Sequence, residues 1–142
     1  SLAAKGATVD MTAGSTTAES VRDYIELGGN LARLTLSSDA NGSLPEFDAD
    51  GRLIGLEVAK QTTLFEQVWE CAELPGMDLS QALALVTSNT ADALVLGHKG
   101  RLRSGCDADV LLTDDQHTIR LAFSRGREIV RDGEPQIRGT FE

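Results

Sequence analysis

The chain of 142 residues is 41% hydrophobic and 25% charged, which is enough to build a globular domain with a core of its own. Its formal net charge is −9, from 22 acidic and 13 basic residues. This balance argues against nucleic acid and anionic membranes as partners, because phosphate groups are bound by clustered Lys and Arg. The chain begins at Ser1 rather than at Met, so we expect it to be a piece of a longer protein.

The first part of the chain predicts a strand, a helix and a second strand. A β-prone run covers 7–12, and Thr16 with Glu19 predicts a capping box in front of an amphipathic helix that stops at Gly28. The second apolar run covers 31–38. Because the three elements follow each other within about thirty residues, we expect a βαβ unit with parallel strands.

An irregular stretch is predicted over 40–55, with a small hairpin turn at Asp50-Gly51. A long amphipathic helix is predicted over 63–74, a second helix near Asp78, and a short one that ends at Gly97.

From residue 98 onward the pattern changes to short β runs separated by glycine. They cover 100–102, 108–113, 119–124 and 128–131. We therefore predict two domains, 1–97 and 98–142.

Three segments of the second half resemble one family when they are taken in order. Gly100-x-Leu102-x-x-Gly105-x-x-Ala108-Asp109-Val110 is similar to the closing pattern of the metal-dependent amidohydrolase superfamily. The runs 87–94, with Thr90 in place of the usual proline, and 126–133 resemble its T-x-N-P-A-x-x-L helix start and its last hairpin. The resemblance implies an α/β fold, in which 1–97 supplies the last β/α units of a TIM barrel and 98–142 strands of a small β-sandwich-like tail domain.

A narrower resemblance rests on the run Ser37-Ser38-Asp39-Ala40-Asn41-Gly42-Ser43 and on the ending 138–142. Both are similar to isoaspartyl dipeptidases. The resemblance implies that the longer protein hydrolyses the amide bond of β-aspartyl (isoaspartyl) dipeptides with a metal-activated water. It also implies zinc as the cofactor, with two ions, and a homo-oligomer.

The same resemblance implies that Asp39 is the catalytic residue and a metal ligand, and Asp39 follows a strand at the end where TIM barrels place their active sites. A carboxylate can bind zinc through one oxygen and accept a proton on the other. The alternative is an Asx turn after the strand. By the same resemblance Ser43 binds the α-carboxylate of the substrate, against the alternative of an ordinary loop serine, and Asn41-Gly42 shapes the loop.

Other polar residues are predicted to have structural roles. Asp10 could be a partner carboxylate of Asp39, but a residue hydrogen-bonded within a barrel layer is favoured. His98 and His117 are predicted on the surface, and the carboxylates of the closing pattern, Asp107 and Asp109, in turns and strand pairing.

Cys71 and Cys106 lie 35 positions apart and form no CxxC pair. We expect free thiols and a cytoplasmic, reducing location, with a disulfide as the alternative.

The remaining metal ligands are expected outside this chain, which alone should be inactive. The alternatives are an amidohydrolase that acts on cyclic amides or N-acyl amino acids, and a non-catalytic scaffold with the same fold.

Overall fold

The computed structural model describes residues 5–138, which divide into two compact units between Leu94 and Val95. The division falls three positions before the domain change predicted near residue 97. Within the described residues no helix combines the length and apolar character needed to cross a bilayer.

The first unit opens with the β-α-β arrangement that the sequence predicts. Strand β1 (Val9–Thr12), helix α1 (Thr17–Glu26) and strand β2 (Leu34–Ser37) follow in order, and β1 and β2 pair in parallel from Val9↔Leu34 to Thr12↔Ser37. Strand β2 starts later than expected, because Leu31–Arg33 form a turn of 3-10 helix. The Asn30 side chain starts this turn by accepting a hydrogen bond from the Ala32 N–H at 3.0 Å.

Helix α1 begins where expected but is capped differently. The side chain of Thr16 makes no cap hydrogen bond, so the predicted capping box is wrong. Instead the Thr17 hydroxyl accepts from the Gly14 N–H at 2.7 Å and donates to the Gly14 carbonyl at 2.8 Å. The predicted stop is confirmed, since the helix ends at Glu26 and Gly28 takes a left-handed φ of 76°.

The stretch predicted as irregular is largely a hairpin, of which only the turn was expected. Strands β3 (Ser43–Phe47) and β4 (Leu53–Val58) pair antiparallel. The turn between them is closed by Asp48, whose carboxylate accepts from the backbone N–H groups of Asp50 and Arg52, both at 2.9 Å. Gly51 takes the positive φ of 77° that this turn requires.

Three helices complete the unit: α2 (Thr63–Ala72), α3 (Leu79–Ala84) and α4 (Ser88–Ala93). A complete capping box starts α3, with Asp78 accepting from the Gln81 N–H at 2.8 Å and Gln81 accepting from the Asp78 N–H at 2.9 Å. The core lies where helices meet one face of the β1–β2 sheet, and its buried members are Val21, Leu34, Leu36, Val68, Cys71, Met77, Ala82 and Leu85.

Asn89, near the start of α4, explains why the T-x-N pattern belongs at this point of the chain. Its amide nitrogen donates to the carbonyls of Leu31 and Leu34, at 2.7 and 2.9 Å. One side chain therefore satisfies two backbone acceptors at the entrance to β2 and fixes α4 against that strand.

The second unit contains one antiparallel sheet with strand order β5-β6-β7-β8. Its strands are β5 (Val110–Thr113), β6 (Ile119–Ser124), β7 (Arg127–Arg131) and β8 (Glu134–Pro135). The run predicted over 100–102 is not a strand. A sandwich needs a second sheet, and residues 95–138 supply one sheet only, so the β-sandwich-like tail remains a prediction.

Candidate functional site

Asp39 lies two residues beyond the C-terminal end of β2, and its side chain is exposed. Its backbone has a φ of 47°, in the left-handed region that Asp tolerates better than most residues. Its carbonyl accepts from the Gly42 N–H at 2.8 Å, which closes a tight turn over 39–42. Between residues 5 and 138 no group donates a hydrogen bond to its carboxylate, so the Asx turn, which was the alternative interpretation of Asp39, is not formed there.

Gly42 is a glycine because of this turn. A Cβ built on it would lie 2.8 Å from the Asp39 carbonyl oxygen and 2.9 Å from the carboxylate carbon and from Oδ2. The expectation that Asn41 and Gly42 shape the loop is therefore confirmed, but for two different reasons. Asn41 supplies a positive φ of 66°, whereas Gly42 supplies room for Asp39.

The loop is fastened to the hairpin through the backbone of Ala59. The Asn41 N–H donates to the Ala59 carbonyl at 3.0 Å, and the Ala59 N–H donates to the Gly42 carbonyl at 2.9 Å. Ala59 is buried, with 6% of its surface exposed. The position of Asp39 thus depends on β2 on one side and on the end of β4 on the other.

Ser43 is the first residue of β3, opposite Val58, and it is exposed. The structure therefore brings Asp39 and Ser43 to the same loop-and-hairpin segment, four positions apart in the chain. The Ser43 hydroxyl is available to a ligand on the same surface as the Val58 side chain, because residues paired across strands share a face.

Asp10 is hydrogen-bonded within its sheet, as the sequence analysis favoured. Its Oδ1 accepts from the Thr35 hydroxyl and its Oδ2 from the Ser37 hydroxyl, both at 2.6 Å. Sequence reasoning did not identify Thr35 and Ser37 as its partners, since the register of β1 against β2 is needed to place them.

The carboxylates of the closing pattern, Asp107 and Asp109, form ion pairs with the side chain of Lys99. Lys99 Nζ lies 2.7 Å from Asp107 Oδ2 and 2.5 Å from Asp109 Oδ2. Asp109 also accepts from the Arg125 N–H at 2.8 Å, where the chain turns between β6 and β7. Hydrogen bonds from Lys99 lower the pKa of both carboxyls below the usual value, and those same bonds raise the pKa of Lys99. The predicted turn role is confirmed for Asp109; the part played by Lys99 was missed.

The two histidines are exposed, as expected. Nε2 of His98 lies 3.9 Å from Asp107 Oδ2, and His117 has a positive φ of 62° in the turn before β6. Both cysteines are free thiols. Burial in the core raises the pKa of Cys71 to about 11, which leaves it a thiol rather than a thiolate at neutral pH.

The zinc implied by the resemblance finds one suitable ligand here. An exposed carboxylate just beyond the end of a strand has the chemistry of a zinc ligand, and Asp39 provides it. The part of the chain from residue 5 to 138 contains no group of three His, Cys, Asp or Glu side chains that could hold a metal ion. A complete zinc site is thus not built from these residues.

Two of the solved structures similar to this chain are β-aspartyl dipeptidases. That of the thermophilic keratin-degrading Fervidobacterium islandicum AW-1, in complex with a β-Asp-Leu dipeptide, is 32% identical, covers 97% of this chain and has a TM-score of 0.83. A second structure of the enzyme from this organism is 28% identical, with a TM-score of 0.78. The chain spans only 37% and 35% of the lengths of these two proteins.

Other relatives have different activities. The imidazolonepropionase of Pseudoalteromonas atlantica is 48% identical over 48 residues, which is 34% of this chain and 12% of that protein. The N-acetylglucosamine-6-phosphate deacetylase of Thermotoga maritima is 15% identical and has a TM-score of 0.67. The match covers 88% of this chain and 39% of the deacetylase, and it shows that the fold is shared.

The sequence pattern of the Amidohydrolase family matches residues 7–139, which is nearly the whole chain. The mixed α/β structure of the chain agrees with this match. So do the structural neighbours, which have the amidohydrolase fold of the TIM-barrel superfamily. The chain belongs to the amidohydrolase family.

Proposed function

We propose that the full-length protein hydrolyses the amide bond of β-aspartyl (isoaspartyl) dipeptides. The observation that carries this proposal is the 32% identity, over 97% of the chain, to a β-aspartyl dipeptidase in complex with β-Asp-Leu. The segment from Asp39 to Ser43 follows strand β2, and a substrate-facing loop is expected at the C-terminal end of a barrel strand. The chain spans about a third of that enzyme, so the proposal concerns the whole protein and not this chain alone.

In the proposed reaction one carboxylate oxygen of Asp39 would hold the metal ion, and the carboxylate accepts a proton from the attacking water. It then passes that proton to the leaving amine. Its exposure, and the absence of hydrogen-bond donors to its carboxylate within residues 5–138, support this role, because a general base must reach its proton directly. Bound zinc would supply activation of the water and polarisation of the amide carbonyl. The expected pair of zinc ions requires ligands beyond Asp39, so this chain alone is proposed to be inactive.

Ser43 is proposed to hold the free α-carboxylate of the substrate. Its hydroxyl is exposed at the start of β3, next to the turn that carries Asp39, and a hydroxyl can donate to a carboxylate without adding a charge. A hydrogen bond to a charged group contributes about 1.5–3 kcal/mol, which is enough to influence which dipeptides bind.

The protein is further proposed to be a cytoplasmic homo-oligomer with the dipeptide as its small-molecule partner. Two free cysteines, one of them fully buried in the core, support a reducing location.

A second candidate activity is hydrolysis of a cyclic amide. The observation in its favour is the identity of 48% to an imidazolonepropionase, although it extends over only 34% of this chain. We favour the dipeptidase because that likeness extends over almost the whole chain.

The test is hydrolysis of β-aspartyl-leucine and of α-aspartyl-leucine by the full-length protein. We expect cleavage of the β-linked peptide only, and a loss of about 10²–10⁴-fold in kcat/KM with Asp39→Asn, the range typical of a general acid–base residue. Ser43→Ala should act mainly by raising KM.

The matched control is Asp50→Asn, which changes an exposed carboxylate in the hairpin turn and should leave the activity unchanged. No cleavage of either peptide, together with turnover of an imidazolone substrate, would contradict the dipeptidase and favour the second candidate. Failure with every substrate and without zinc binding would indicate a non-catalytic scaffold.

A further inference from the structure

The two faces of the β1–β2 sheet differ in character. Val9, Met11, Leu34 and Leu36 face the core, where the two leucines are buried and the other two are packed against the cluster. The opposite face carries Asp10 paired with Thr35, and Thr12 paired with Ser37. In a TIM barrel the helices cover the outer face of the strands, so the face opposite the helices lies inside the barrel, where bulky branched side chains are usual. A polar face in this place therefore calls for an explanation.

The centre of that polar face is the carboxylate of Asp10. Each of its oxygens accepts one hydroxyl from β2, Thr35 on Oδ1 and Ser37 on Oδ2, both at the short distance of 2.6 Å. Hydrogen bonds to an ionised acceptor are shorter and stronger than those between neutral groups. Two successive residues on one side of β2 are thus held by a single side chain of β1.

Ser37 is the last residue of β2 and stands two positions before Asp39. Its side chain is held by Asp10, and its carbonyl accepts from the Ala13 N–H at 2.7 Å. The far end of the Asp39 turn is held at Ala59. Asp10 therefore contacts the chain at Ser37, where β2 ends and the Asp39 turn begins.

We propose that Asp10 is a positioning residue, which acts through the hydroxyl of Ser37 to fix the strand end that presents Asp39. It does not touch the substrate in this arrangement. The proposal rests on the proposed function, because Asp39 must be the catalytic carboxylate for its placement to influence the rate. A catalytic group displaced by about one ångström can lose about 10²-fold in rate.

The test compares Asp10→Ala, Ser37→Ala and the double variant in the full-length protein, with Thr12→Val as the control. Thr12 lies on the same face, but the structure shows no hydrogen bond from its side chain to residues 5–138. We expect each single variant to lower kcat on β-aspartyl-leucine about tenfold, as loss of a residue that orients a metal ligand typically does, with KM unchanged. The double variant should lose no more than either single one, because the two residues act as one unit.

A second readout does not depend on activity. Hydrogen–deuterium exchange at the amides of Asn41 and Gly42, which are bonded to Ala59 and Asp39, should be faster in Asp10→Ala and Ser37→Ala and unchanged in Thr12→Val. Asp78→Ala, which removes the N-cap bond of α3 and no hydrogen bond of the Asp39 turn, controls for a general loss of stability and should leave kcat and these amides unchanged.

The outcomes separate the two proposals. If the unsubstituted protein does not cleave β-aspartyl-leucine, the proposed function fails, and the exchange experiment still decides whether Asp10 holds the turn. If cleavage occurs but Asp10→Ala keeps its kcat, or exchange at Asn41 and Gly42 does not change, the positioning role is overturned. Additive losses in the double variant would also overturn it.

Discussion

Carboxylates of the same residue type do three different things in this chain, according to what their oxygens contact. Asp10 accepts two hydroxyls, Asp107 and Asp109 share the ammonium of Lys99, and Asp39 receives no donor from residues 5–138. At the scale of the residue, the spacing of acidic side chains in the sequence does not separate these cases. The strand register and the left-handed backbone at Asp39 do.

The ion pairs of Lys99 should make stability depend on pH. The pKa values of Asp107 and Asp109 are lowered by folding, so their contribution is present above the ordinary carboxyl pKa of about 4 and is lost as the pH falls below it. The raised pKa of Lys99 places its own loss in the alkaline range, as the pH rises above about 10. We expect Lys99→Met to lower the thermal midpoint by a constant amount between about pH 5 and pH 9. The difference should shrink towards zero in strong acid.

Thermal unfolding of the full-length protein at a series of pH values measures this difference. Lys60→Met is the matched control, because Lys60 is exposed and the structure shows no ion pair between it and residues 5–138. A difference that persists undiminished near pH 2 would contradict an electrostatic origin.

At the scale of the element, the two helix starts with capping patterns behave differently. Thr16 and Glu19 have the residue types of a capping box, but Thr17 bonds to Gly14 instead and the box does not form. Asp78 and Gln81 form the box completely. The hydrogen bonds between the Thr17 side chain and the Gly14 backbone therefore replace the capping box at the start of α1. The short capping motif alone does not predict this replacement.

We expect Asp78→Ala to lower the free energy of unfolding by about 0.5–2 kcal/mol, because an N-cap side chain satisfies a free N–H of the first turn. Thr16→Ala should change it by much less, since its hydroxyl makes no cap bond. Denaturant unfolding of the two variants in parallel measures the contrast. Equal losses would show that the cap assigned to α3 is not the source of the effect.

The sequence predicts an element correctly where its apolar spacing and its turn residues indicate the same boundaries. The β-α-β unit was predicted because its apolar spacing and Gly28 indicate the same boundaries. The hairpin strands were missed because Pro45 and Gly55 are poor strand formers and a register shift between Glu46 and Phe47 interrupts the alternation. Asp39 was identified through a motif, whereas the partners of Asp10 depend on pairing between β1 and β2 and could not be read from either strand alone.

At the scale of the whole molecule, the first unit has open strand edges and exposed apolar side chains. Strand β1 pairs only with β2 among the described residues, and the sheet has two strands. The far edge of β2 is partly satisfied, because the Leu36 N–H donates to the Leu85 carbonyl at 3.1 Å. The hairpin adds exposed apolar side chains, among them Leu56 and Val58, which are 65% and 66% exposed. Unpaired strand edges and exposed apolar surface both favour association.

We therefore expect the isolated chain to self-associate or to pair with another strand. Sedimentation velocity over a range of concentrations measures this, and the sedimentation coefficient should rise with concentration. A variant with Leu56→Lys and Val58→Lys separates the two surfaces, because association through strand edges would persist in it. A monodisperse monomer at every concentration would contradict the prediction.

The missing side chain at Gly42 also limits how this loop can evolve. A single added methyl would collide with the carbonyl and the carboxylate of Asp39, so mutations at this codon would displace the proposed catalytic group. Position 43 and the outer face of the hairpin carry no such restriction. New substrate preferences in descendants of this protein should therefore arise by drift at Ser43 and along β3 and β4, while position 42 stays glycine in every lineage that keeps the chemistry.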